Sequence, residues 1–351
     1  TTAAIVLDTE PPAGLITVAD GAAYTQGASV GLSMIAGGDL SGVAEMALAN
    51  EDAALDCSTA VYGSFATQQP WGLVDTEGTH RVSLCLKDAA GNFTSSPVWD
   101  EIFLDKTNPD AVVAVAAGAA YTTSLDVSVS ITPAADDTAQ MKVSNSILTC
   151  GSITDWSSFA PTVAHRLACS SGDTCTVYVC LRDAAGRVSA LLTDTIGFDN
   201  VPPAVTSFAI AGGEWTNSAN GLLAINVSGA TWMKLSGNLA SADGQSPDTW
   251  IAYKASPAVV FSSGDGAKSV IAQFRDDAWN LSTVYSDTIT LDTAAPESGS
   301  IEIVQSPYTT GTQVDLRLVS GGATRMCISG SVTSSCSDAT ATGTWEAFQA
   351  N

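Results

Sequence analysis

Hydrophobic residues alternate with small or polar ones along this chain in short runs of period two. Val30, Leu32 and Met34 form one run, which returns as Leu125, Val127 and Val129, as Leu223, Ile225 and Val227, and as Val314, Leu316 and Leu318. A second run, Val82, Leu84 and Leu86, returns as Val177, Val179 and Leu181 and as Val270, Ala272 and Phe274. Alternation of this kind predicts strands with one buried face. No segment keeps helical spacing for more than a turn or two, so the chain reads as all-β.

The runs recur because the sequence recurs. Leu7-Asp8, Leu104-Asp105, Phe198-Asp199 and Leu291-Asp292 are each followed shortly by proline, and their aspartates lie 97, 94 and 93 residues apart. A second series is Lys87-Asp88-Ala89-Ala90-Gly91-Asn92, Arg182-Asp183-Ala184-Ala185-Gly186-Arg187 and Arg275-Asp276-Asp277-Ala278-Trp279-Asn280. A third is Tyr24-Thr25, Tyr121-Thr122, Trp215-Thr216 and Tyr308-Thr309. Three series in one phase mark a tandem repeat. About seven short strands per repeat, parted by Gly, Pro and Asn turns, predict a two-sheet sandwich. Residues 1–8 then read as the last strand of a preceding or neighbouring domain, 9–105, 106–199 and 200–292 as domains 1 to 3, and 293–351 as an incomplete domain 4. Either the sequence is a window on a longer array, or it is a filament subunit whose broken last domain is completed by a neighbour's strand.

Composition narrows the function classes. Only 14% of residues are charged, yet acids outnumber bases 36 to 13, a net charge of −23. That field repels phosphate backbones and anionic membranes and attracts cations, so no nucleic-acid partner is expected. No apolar run approaches 18 residues, so no membrane insertion is expected in this segment. The eight cysteines form no C-x-x-C pair and accompany only two histidines, which argues for disulfides in an oxidising compartment over zinc. Equivalent repeat positions suggest Cys57–Cys85 and Cys150–Cys180 bridges. Cys85 should point away from the core, because Val82, Leu84 and Leu86 face it. Cys169 and Cys175 flank a turn and should close locally. Cys336 pairs either with Cys327 or with a cysteine beyond residue 351. Domain 3, without cysteines, should be the least protected against unfolding.

The Leu-Asp-Thr-x-x-Pro linkers, Gly21-Ala22-Ala23-Tyr24-Thr25, Ser41-Gly42-Val43-Ala44-Glu45-Met46 and Asp88-Ala89-Ala90-Gly91-Asn92 resemble the tandem bacterial immunoglobulin-like domains of large extracellular adhesins and surface fibres. The resemblance spans the whole chain and implies immunoglobulin-like β-sandwiches strung as beads, at a cell surface. It implies a non-catalytic structural or adhesive function, with further repeats or copies of the chain as partners. A cell-surface glycan or protein is the alternative partner, the chain then being a binding module with spacer domains.

In such a sandwich the incoming linker, the loop after the second strand and the loop before the last strand share one end. Asp8, Asp39 and Asp88 occupy those places in domain 1; Asp105, Asp136 or Asp137, and Asp183 occupy them in domain 2. Converging carboxylates suit Ca²⁺, and the resemblance implies calcium-stiffened linkers. The competing reading is that each aspartate only caps its own turn. Domain 3 keeps Asp199 and Asp276, but its other loop, 227–231, has no acid. Gly27-Ala28-Ser29-Val30-Gly31 matches a nucleophile-elbow pattern, but it sits where other repeats begin a strand, and neither His80 nor His165 completes a triad. Trp156 with Phe159, Trp250 with Tyr253, and Trp345 with Phe348 recur in phase and read as packing pairs. Asn92, Asn226 and Asn280 lie in N-x-S/T sequons.

Overall fold

A computed structural model describes residues 5–50, 55–135, 137–305, 307–328 and 346–348. The chain divides into two compact units, 1–200 and 201–351. Nearly every regular element is a strand, and the helical segments among the described residues are three single 3₁₀ turns.

The first unit holds two sandwiches of one topology. Strands β1–β8 of the first are Ala13–Val18, Tyr24–Thr25, Ser29–Gly37, Val43–Asn50, Gly63–Ser64, Gln68–Gly72, Gly78–Asp88 and Val98–Leu104. They form a three-stranded sheet, β1-β3-β6, facing a five-stranded sheet, β2-β8-β7-β4-β5. Strands β9–β16 of the second are Ala111–Val115, Tyr121–Thr122, Asp126–Pro133, Thr138–Ser144, Ser157–Ser158, Thr162–Arg166, Thr174–Asp183 and Leu192–Phe198, in sheets β14-β11-β9 and β10-β16-β15-β12-β13.

The period-two positions fill the cores. Val30, Leu32, Met34, Val82, Leu84 and Leu86 are buried together in domain 1. In domain 2 the first run is offset by one pair: Val129 and Ile131 are buried, while Leu125 and Val127 sit half-buried at the strand's entrance. At about 25 cal/mol per Å² of apolar surface, each fully buried Leu or Val contributes roughly 1.5–3 kcal/mol, so these stripes dominate folding.

Each sandwich is stitched at its beginning by a strand that changes sheets. After β1 the chain turns through left-handed backbone at Ala19, Asp20 and Gly21 (φ 47°, 56° and 82°), and the short β2 pairs parallel with β8. Ala116, Ala117 and Gly118 repeat this turn, and β10 pairs parallel with β16. The switch is clasped across the sheets: Asp100 Oδ2, on β8, accepts the Val18 N–H at 2.8 Å, and Asp194 Oδ2 accepts the Val115 N–H at 2.7 Å.

The second unit contains the third sandwich. Its strands β17–β25 are Ala204–Ile210, Trp215–Thr216, Asn220–Ser228, Trp232–Gly237, Leu239–Ala242, Trp250–Ala252, Ala258–Phe261, Gly266–Arg275 and Tyr285–Leu291. The extra strand β21 widens one sheet to β17-β19-β23-β21; the other is β18-β25-β24-β20-β22. Asp287 Oδ2 makes the same clasp, to the Ile210 N–H. Beyond it, β26 (Ser300–Ile303) pairs with β27 (Leu316–Val319), and β28 (Arg325–Met326) with β29 (Glu346–Ala347). Leu316 and Leu318 are only half-buried and Val314 lies outside the strand. At the other end, residues 5–8 join no sheet and Ile5 and Leu7 are exposed, while residues 1–4 of the strand expected at 1–8 lie outside the described residues.

Three disulfides join pairs of described residues: Cys57–Cys85, Cys150–Cys180 and Cys169–Cys175. Cys57 and Cys85 gather with Ala47 in a small cluster apart from the domain 1 core, so the bridge pins residues 55–62 over the outer face of the five-stranded sheet. Cys327 is also disulfide-bonded, and Cys336 lies outside the described residues.

Candidate metal centres at the domain junctions

The linker, the loop between β3 and β4 and the turn after β7 converge on one end of domain 1. One carboxylate oxygen each from Asp8, Asp39 and Asp88 lies within 4.8 Å of the others, and Asp105, Asp137 and Asp183 make the equivalent group in domain 2. Asp136, the alternative to Asp137, lies outside the described residues.

The turn that ends β7 fixes the first group. Asp88 Oδ1 accepts the N–H groups of Gly91 and Asn92, and the Asn92 side chain donates to Asp88 Oδ2 at 2.8 Å and to the Asp8 carbonyl. Gly91 has φ of 100°, the left-handed conformation that this turn requires. Ser41 N–H donates to both Asp8 Oδ2 and Asp39 Oδ1, and Gly42 N–H donates to Asp39 Oδ1. Burial pushes the Asp88 pKa up, but these hydrogen bonds outweigh it and hold the carboxyl below its ordinary value.

The second group keeps the backbone and changes the chemistry. Arg187 stands where Asn92 stands, and its N–H still donates to Asp183 Oδ1. Its side chain turns away from Asp183: Nε donates to the Asp105 carbonyl at 2.7 Å, with the other nitrogens on Asn108 and the Gln26 carbonyl. Asp183, 3% exposed, is left with a buried Oδ2 that has no hydrogen-bond partner, and Asp137 Oδ1 is likewise unpartnered. Burial, with the nearby Asp105 and Asp137 charges, raises the Asp183 pKa above the ordinary carboxylate value. A buried carboxylate oxygen without a donor is costly unless a cation completes it. Aspartate oxygens alone are hard donors, so the residues fit Ca²⁺ or Mg²⁺. Asp39 Oδ2 is the corresponding unpartnered atom in domain 1.

In domain 3, Asp276 is satisfied by Asn280 in the manner of Asp88, and no third acidic group of this kind occurs among the described residues. The sequons at Asn92 and Asn280 are therefore used internally, each amide donating to the turn's own aspartate; Asn226 is exposed on β19. Ser29 opens β3, a plain strand, and His80 is buried against the Thr76 carbonyl. Of the aromatic pairs, Phe159 and Tyr253 pack on their cores, whereas Trp156 and Trp250 stay half-buried outside them; Trp345 lies outside the described residues.

No family model and no curated protein matches the sequence. Several solved structures are similar in fold. Part of a 1.5-MDa bacterial ice-binding adhesin is similar at 14% identity over 82% of this chain and 100% of that one, with a TM-score of 0.38. A tetra-tandem repeat from the extending region of a large adhesion protein is similar at 16% identity, over 89% and 82%, with a TM-score of 0.29. Fibronectin(III)-like modules of Clostridium thermocellum CbhA are similar at 13% identity, over 53% and 94%, with a TM-score of 0.31. The likeness is one of fold.

Two features were missed in the sequence. The clasp aspartates Asp100, Asp194 and Asp287 each lie five residues before a linker aspartate, in an Asp-x-Ile-x-[Leu/Phe]-Asp pattern that was legible as a further anchor. The role of Arg187 was not, because an arginine in an acidic turn reads as an ordinary surface charge.

Proposed function

We propose that this chain is a non-catalytic, extracellular structural segment of an adhesive fibre, in which Ca²⁺ at the domain junctions fixes one sandwich to the next. The observation that carries this reading is the unpartnered, buried Asp183 Oδ2 facing Asp105 and Asp137, because Asp105 is the linker residue itself. A cation held there ties the end of domain 1 to the loops of domain 2. When bound it supplies charge neutralisation; Asp105, Asp137 and Asp183 hold it, and Arg187 keeps the linker carbonyl in place. Asp8, Asp39 and Asp88 would hold a second ion at the entry to domain 1.

The disulfides support an oxidising compartment. No helix among the described residues is long and apolar enough to cross a membrane. Partners on this reading are further repeats or copies of the chain. The test is calorimetric titration of metal-free protein with CaCl₂, repeated on Asp183→Asn. Saturable binding is expected, with one class of sites weakened at least tenfold in the variant; no binding, or unchanged binding at every site in the variant, would overturn the calcium reading.

A further inference from the structure

Domain 3 carries an aromatic cluster that its siblings lack. On the outward face of the five-stranded sheet, the Arg275 guanidinium lies 3.8 Å from the Trp279 ring centre, 4.5 Å from that of Trp250 and 5.4 Å from that of Trp232. The strand register shows how specific the substitutions are. Trp232 pairs with Arg275 where Glu45 pairs with Lys87 in domain 1 and Gln140 with Arg182 in domain 2. Trp279 stands where the other turns have Gly91 and Gly186, and it adopts their left-handed conformation at φ 70°. A bulky side chain there is strained, and this one is also 69% exposed. Hydrophobic packing gives no reason to place a tryptophan at such a position.

The arginine supplies the second observation. Arg275 is only 9% exposed, and its side chain makes no hydrogen bond or ion pair with any described residue; its buried Nε has no partner. Ring faces stabilise a cation but leave its N–H groups unused. Nearby Lys234 already has Asp248 at 3.1 Å, so Arg275 is the uncompensated charge in the patch. Domain 3 has no disulfide-pinned loop over this face, and the Trp232 and Trp279 indoles stay exposed around the arginine. Gln273 occupies the register position of Cys85, and Lys234 that of Ala47.

We propose that this cluster is a binding site for a carboxylated saccharide, a sugar acid whose carboxylate pairs with the free Arg275 N–H groups while its ring stacks on exposed indole. A planar guanidinium suits a carboxylate, and flat indole faces on three separate elements suit a pyranose ring's C–H face. An extended acidic peptide would instead need a run of unpaired strand edge, whereas Arg275 lies on β24, which is paired on both sides. The proposal is independent of the calcium reading, because none of its residues belongs to either acidic group.

The test is titration calorimetry of the full chain with 3′-sialyllactose and trigalacturonate, using lactose and maltotriose as neutral counterparts and a hexaglutamate peptide as the acidic non-sugar. Trp279→Gly and Arg275→Lys install residues that sibling domains use at the same positions, so both should fold. At least one acidic sugar should bind saturably, at least tenfold more tightly than its neutral counterpart and the peptide. Both variants should lose that binding at least tenfold with their melting temperatures held. Absence of binding by both acidic sugars, equal binding of the neutral sugar or the peptide, or undiminished binding by Trp279→Gly would overturn the proposal. A variant that lost melting temperature while keeping its affinity would show the cluster to be a staple replacing the disulfide, and would overturn it as well.

Discussion

The turns after β7 and β15 share their backbone yet leave their aspartates in opposite states. In domain 1, Asn92 hydrogen-bonds the second oxygen of Asp88, and the carboxylate is stabilised in its charged form. In domain 2, Arg187 occupies that position but reaches over to the linker, so Asp183 is buried, repelled by two other carboxylates and destabilised in its charged form. One substitution moves a side chain from serving its own turn to serving the junction. The lesson is that an acidic cluster cannot be judged by its acids alone: the donors around it decide whether a cation is needed.

The largest expected effect follows from that difference. Saturating calcium, at a hundredfold above its dissociation constant, should stabilise domain 2 by about 2.7 kcal/mol, with a smaller gain in domain 1 and none in domain 3. Domain-resolved melting or hydrogen exchange in CaCl₂ against EGTA checks this, and equal shifts in all three domains would break the comparison. Asp183→Asn comes next. Removing the unpaired buried charge should stabilise the metal-free chain by about 1 kcal/mol and abolish the calcium gain of domain 2, whereas Asp88→Asn should be destabilising with or without calcium.

The two sites should also answer pH with opposite signs. Asp183 is raised in the folded state, so the metal-free fold binds its proton more readily than the unfolded chain does. Its destabilisation is present at neutral pH and is relieved as pH falls through that raised pKa. Asp88 is lowered, so its stabilising contribution persists above the ordinary carboxylate range and disappears as pH falls through the depressed value. Melting of domains 1 and 2 in EGTA between neutral and acidic pH should show the gap closing. A gap that widened would contradict the assignment. The smallest effect is expected from Arg187→Asn, which converts the second site towards the first. Stability should change by about 1 kcal/mol or less, since the long 3.9 Å contact of Arg187 Nε with the buried Asp105 carboxylate and a few hydrogen bonds are lost while Asp183 gains a partner. The junction should loosen, read as faster relative tumbling of domains 1 and 2 in NMR relaxation.

Much of this was legible in the sequence because tandem repetition exposes what a single copy hides. The strand stripes through Val82, Leu84 and Leu86 carry a period that burial enforces, and the same parity placed Cys85 on the outer face, where it is found. The convergence of Asp8, Asp39 and Asp88 followed from which loops share one end of a sandwich. What stayed hidden depends on side-chain direction. Nothing in the order of residues says that Arg187 bends towards Asp105 and away from Asp183, or that Trp250, read as a packing residue, and Trp279, read as a turn position, meet Trp232 around one arginine. Those contacts cross three strands and a turn, and periodicity is blind to them.

The parallel pairing of β2 with β8, repeated by β10 with β16 and by β18 with β25, has a mechanical consequence. An entering and a departing strand that run side by side in the same direction are loaded in shear when the chain is pulled from its two ends. Their hydrogen bonds then bear force together, where an antiparallel terminal hairpin would open them one at a time. The clasp from Asp100, Asp194 or Asp287 lies beside this load path and adds a cross-sheet tether to it. Single-molecule extension should therefore show each complete sandwich yielding in one abrupt event, at a force that falls when Asp194 is replaced by alanine; gradual, stepless extension would speak against a shear-loaded design.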